Sequence, residues 1–108
     1  MKGLRILLVD DEPLMRLSMV DALEAIGHDV EAAASGTDGI EAIRQRPFDL
    51  VITDLRLPGA DGLAVLAAAK ERLPHTEVVM ITAHGSVETA VGAMKLGALD
   101  YITKPFQM

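Results

Sequence analysis

Residues 4–13 read Leu4-Arg5-Ile6-Leu7-Leu8-Val9-Asp10-Asp11-Glu12-Pro13. The apolar run from Leu4 to Val9 is broken only by Arg5 and does not alternate, which is the pattern of a strand covered on both faces of a parallel sheet. It stops on acidic residues. Pro13 then suits the first position of a helix, with Asp11 or Glu12 as its cap. Met15, Met19, Leu23 and Ile26 follow at steps of four, four and three residues and share one helical face, and Gly27 supplies the stop. A buried strand, an acidic end and an amphipathic helix therefore form the opening unit.

The rest of the chain repeats that unit. Leu50 to Ile52 and Val78 to Ile81 are further short apolar runs, and Tyr101-Ile102 is a weaker one. Between His28 and Ala33 polar and apolar residues roughly alternate, which suits an edge strand. Helical patterns fill the gaps. Ser35 can cap a helix with Ile40 and Ile43 facing inward up to Pro47, and Asp61 can cap one carrying Leu63, Leu66 and Leu73 up to Pro74. Ser86 can cap a fourth, with Val87, Val91 and Met94 on one side and Gly97 as its stop. The order is β-α-β-α-β-α-β-α-β. Strict alternation with short loops predicts an α/β fold, a doubly wound parallel five-stranded sheet with right-handed crossovers and helices on both faces.

Composition narrows the function. At 108 residues there is room for one domain. Ten basic and 16 acidic residues give a formal charge of −6, which disfavours direct contact with nucleic acid or an anionic membrane. There is no cysteine, so disulfides and thiolate metal sites are excluded. No apolar run approaches a membrane span and no signal peptide precedes the first strand, so a cytoplasmic domain is expected. Aromatic residues make up 3%, so aliphatic side chains and Met must build the core.

In a doubly wound sheet ligands bind outside the carboxyl ends of the strands, where the strand order reverses. The first strand ends on Asp10-Asp11, the third on Asp54, the fourth on Thr82 and the last on Lys104. In the order 2-1-3-4-5 the first and third strands flank the switch point, and the three carboxylates converge with a hydroxyl and an ammonium beside them. Clustered carboxylates repel one another unless a cation sits among them, and an all-oxygen set suits Mg²⁺. A carboxylate can attack phosphorus to give an acyl phosphate, and phosphoryl transfer needs mainly positioning and charge neutralisation. Taken singly, each residue fits a plainer role. Asp10 and Asp11 make a turn and a helix cap, Asp54 a turn residue before Pro58-Gly59, Thr82 a strand end and Lys104 a solvated charge. Their joint placement at four strand ends argues for a site. His28, His75 and His84 show no ligand spacing and read as surface residues.

Leu8-Val9-Asp10-Asp11-Glu12-Pro13, Asp54 with Pro58-Gly59 and Asp61-Gly62, Ile81-Thr82-Ala83 and Lys104-Pro105-Phe106 together resemble the receiver domain of bacterial two-component response regulators, over the whole chain. The stretch from Ile81 to Ala90, with Gly97-Ala98-Leu99-Asp100-Tyr101, is most similar to the NtrC-type subfamily. The resemblance implies that Asp54 accepts a phosphoryl group from a sensor histidine kinase. It also implies that Asp10, Asp11, Asp54 and the backbone carbonyl of Arg56 hold Mg²⁺. Thr82 would bond the phosphoryl oxygen, Lys104 would pair first with the acids and then with the phosphate, and Tyr101 would move inward with Thr82 as a switch. The fourth helix and fifth strand, including Val87, Ala90, Val91 and Met94, would then meet a second receiver or an output domain that controls transcription. Receivers carry a fifth helix after Lys-Pro-Phe, and this chain stops at Met108. A receiver cut before that helix is expected to leave an apolar sheet face that another copy or further chain would cover.

Three other readings are weaker. A degenerate receiver that only binds a partner would not need a competent residue at every phosphotransfer position. An aspartate-nucleophile phosphatase usually has an acid two residues after the nucleophile, where this chain has Arg56. A dinucleotide-binding protein needs a glycine-rich loop after the first strand, and Asp11-Glu12 there would repel a pyrophosphate.

Overall fold

The structure is a computed structural model that describes residues 3–83 and 87–104. Nine elements follow in strict alternation: β1 (Arg5–Val9), α1 (Pro13–Ala25), β2 (Asp29–Ala33), α2 (Gly36–Gln45), β3 (Leu50–Asp54), α3 (Gly62–Arg72), β4 (Glu77–Thr82), α4 (Val87–Lys95) and β5 (Asp100–Thr103). The sheet is parallel with strand order β2-β1-β3-β4-β5, as expected. β1 and β3 are neighbours, with Val9 opposite Thr53, so the reversal point lies between the ends that carry Asp10 and Asp54.

Two apolar layers cover the sheet. On one face Leu7, Val9, Val51, Val78 and Met80 pack with Ile43 of α2, Val65 and Leu66 of α3 and Ala93 of α4. On the other, Ile6, Leu8, Ile52 and Ile81 pack with Met19 of α1, and Leu50, Val79 and Ile102 are partly buried there. The central strands bury residues on both sides, which is why their sequences do not alternate. Each fully buried aliphatic side chain contributes on the order of 1.5–3 kcal/mol. β2 and β5 are the edges.

The caps and stops are largely those the sequence suggests. The side chains of Ser35 and Asp61 accept from the backbone N–H groups of Asp38 and Ala64. Gly27 and Gly97 both have a φ of +99°, the left-handed stop that glycine adopts without strain. Ser86, expected to cap α4, lies outside the described residues. Three expectations are corrected. Ile26 is 71% exposed, because α1 ends at Ala25 and Ile26 has already left the helical face. Glu12 occupies the cap position of α1 without a side-chain cap bond. His28, read as a plain surface residue, is half-buried, and its Nδ1 accepts the backbone N–H of Leu4 at 3.0 Å, which ties the start of β1 to the turn before β2.

Candidate functional site

Asp10 directly follows the buried Val9 and is itself 3% exposed. Its backbone N–H donates to the carbonyl of Ala33 at 3.1 Å, so it still belongs to the sheet edge. Its Oδ1 accepts the N–H of Glu12 at 2.9 Å, and the Arg16 guanidinium donates to its carbonyl at 2.8 Å. The Asp10 side chain thus turns the chain from β1 into α1. Asp54 closes β3, also buried. Thr82 closes β4 and is fully buried.

Lys104 follows β5, and its N–H donates to the carbonyl of Thr82 at 2.7 Å. Its side chain then crosses the carboxyl ends of the sheet. Nζ donates to Asp54 Oδ2 at 2.9 Å and to Asp10 Oδ2 at 3.0 Å, and lies 3.5 Å from Glu12 Oε1. Burial works against the charged ammonium, but the hydrogen bonds to Asp54 and Asp10 and their charge outweigh it. The Lys104 pKa is raised above the ordinary lysine value. Ammonium and carboxylates meet with less than a tenth of the Lys104, Asp10 and Asp54 side chains exposed.

Carboxylate oxygens of Asp10, Glu12 and Asp54 lie within 4.8 Å of one another. One ammonium among three carboxylates leaves an excess of negative charge. The donors are all oxygen, which fits a hard divalent cation. Glu12 was expected only as a cap. The turn held by Asp10 Oδ1 brings it back over the pocket, while Asp11 is exposed and stands outside this group. Arg56 is exposed on the loop after β3. On the far side of Thr82, Tyr101 of β5 packs against the core, and its hydroxyl shares a hydrogen bond of 2.7 Å with that of Thr89 on α4. Val87, Val91 and Met94 of α4 are 83%, 46% and 49% exposed, so their stripe faces solvent while Ala93 is the α4 residue that is buried.

The acidic cluster bridged by lysine lies at a topological switch point, and the family model of the response regulator receiver domain matches residues 6–108. The chain belongs to that family. Receiver domains are signalling domains of two-component systems, and the family match covers the carboxyl ends of all five described strands. An NtrX-like putative response regulator of Rickettsia typhi is 42% identical over 108 residues, which are 98% of this chain and 23% of that protein. The chain therefore spans about a quarter of that relative's length, and the likeness is to NtrC-type receivers. The solved CheY-like receiver domain of Methanospirillum hungatei superposes with a TM-score of 0.94 at 34% identity, covering 99% of this chain and 85% of that one. A response regulator of Burkholderia pseudomallei, solved with a phosphorylated aspartic acid, a calcium ion and citrate, superposes with a TM-score of 0.90 at 27% identity, covering 95% and 61%. Among the described residues no helix is long and apolar enough to cross a membrane.

Proposed function

We propose that this receiver is a cytoplasmic, phosphorylation-controlled switch in which Asp54 accepts a phosphoryl group from the phosphohistidine of a sensor kinase. The observation that supports it best is the Lys104 ammonium bridging Asp54 and Asp10 across the switch point. A carboxylate oxygen of Asp54 attacks phosphorus, the P–N bond breaks with its electron pair leaving on the imidazole, and an acyl phosphate forms. Lys104 then turns from the carboxylates to a phosphoryl oxygen, and the Thr82 hydroxyl donates to another. Asp10, Asp11 and Asp54, with the Arg56 carbonyl, would hold Mg²⁺, and Glu12, with a carboxylate oxygen within 4.8 Å of those of Asp10 and Asp54, is a further candidate ligand. Bound there, the cation supplies neutralisation of the phosphoryl oxygens. The exposed α4 stripe, with β5, would carry the signal to a second receiver or to an output domain that controls transcription.

Incubation with Mg²⁺ and acetyl phosphate should add one phosphoryl group to the intact mass, and Asp54→Ala should add none. A full mass gain in that variant would move the acceptor to another residue.

A further inference from the structure

α4 is held to the sheet by few side chains. Ala93 is its buried residue, in its C-terminal half. In its first turn, the Thr89 hydroxyl meets the Tyr101 hydroxyl of β5 at 2.7 Å. Tyr101 lies opposite Met80 on β4, two residues before Thr103, which lies opposite Thr82. Its half-buried ring packs on the core while its hydroxyl reaches the helix. A displacement of α4, or a turn of the Tyr101 ring away from it, breaks this bond. The bond is therefore made in one arrangement of the α4–β5 face, and a contact of that kind biases a two-state equilibrium toward the state that makes it.

We propose, resting on the function above, that Thr89 is a positioning residue of the switch. Its hydroxyl latches Tyr101 to α4 and holds the receiver in its unphosphorylated conformation. A net neutral hydrogen bond corresponds to a factor of about 2–10 in an equilibrium, enough to set a resting population and small enough for a phosphoryl group to overcome. Thr and Val have similar shape and helix propensity, so Thr89→Val isolates the hydroxyl.

The test measures the rate of Asp54 labelling by acetyl phosphate, and amide hydrogen exchange over residues 87–95 in the unphosphorylated chain. Thr89→Val and Tyr101→Phe should each speed both by about 2- to 10-fold. Thr89→Ser, which keeps the hydroxyl, should behave as the parent. The double variant should be no faster than either single one, because a shared bond is lost once. A structural tie alone would loosen exchange without speeding labelling, and that result overturns the proposal. So does a Thr89→Val or Tyr101→Phe variant that exchanges and labels at the parent rate, or a double variant whose effects multiply. A parent chain that takes up no phosphoryl group sinks the proposed function and the latch's role in it. The exchange arm, which needs no phosphate, then shows whether the latch itself exists.

Discussion

Replacing Lys104 by Met should destabilise the metal-free chain by about 3–5 kcal/mol, the usual result of removing one partner from a buried ion pair. The Lys104, Asp10 and Asp54 side chains are 7%, 4% and 8% exposed, so little water is at hand to replace the ammonium. Asp10, Asp54 and Glu12 would be left facing one another. The pH dependence follows from the raised Lys104 pKa. A pKa higher in the folded than in the unfolded chain gives a stabilisation that is complete below the unfolded value of about 10.4 and is lost as pH climbs through the folded one. The difference between parent and variant should therefore be flat from neutral pH to about 10 and shrink only in stronger alkali. Urea unfolding with and without millimolar Mg²⁺ checks the charge argument. Mg²⁺ should raise the midpoint of Lys104→Met more than that of the parent, because a divalent cation restores the missing counter-charge. A loss below about 1 kcal/mol, typical of exposed pairs, would show that the carboxylates are screened by water after all.

That cluster was legible in the sequence at the positions where a strand ends. β1 carries the apolar run Ile6 to Val9 and β3 the run Leu50 to Ile52, and the polar residues that follow a buried run emerge towards the strand's carboxyl end. Asp10 and Asp54 could thus be placed at strand ends from the sequence, and the order 2-1-3-4-5 expected for such a sheet makes their strands neighbours, as they are. Glu12 was not legible, because its return to the pocket depends on a hydrogen bond from its own N–H to Asp10 Oδ1. Periodicity carries no trace of such a bond. His28 and Thr89 were missed for a related reason. Their partners, Leu4 and Tyr101, lie 24 and 12 residues away and meet them only once the sheet has formed. The α4 stripe of Val87, Val91 and Met94 was correctly grouped on one side of the helix. Which side faces the sheet was decided by the small Ala93, which lets helix and sheet approach closely.

Gly62→Ala should cost about 3 kcal/mol and should also slow phosphorylation, although Gly to Ala within a helix ordinarily stabilises by about 1 kcal/mol. Gly62 opens α3, and its N–H donates to the carbonyl of Leu55 at 2.7 Å. A Cβ there would lie 2.1 Å from the carbonyl oxygen of Asp54 and 2.8 Å from the Cα of Leu55. Both are backbone atoms of the strand end and its loop, and neither can rotate aside as a side chain would. α3 is meanwhile fixed by the Asp61 cap and by the burial of Val65, Leu66 and Ala69. The strain must then be shared by the segment that positions the acceptor carboxylate, and a misplacement of about 1 Å is enough to slow a positioned reaction by about 100-fold. Gly92 provides the control. It lies inside α4 with nothing within 4 Å of its Cβ position, so Gly92→Ala should follow the ordinary helical preference and stabilise by about 1 kcal/mol. Urea midpoints of the two variants should therefore move in opposite directions. A Gly62→Ala chain as stable as the parent, and labelled by acetyl phosphate at the parent rate, would mean that α3 can withdraw from β3 without disturbing Asp54.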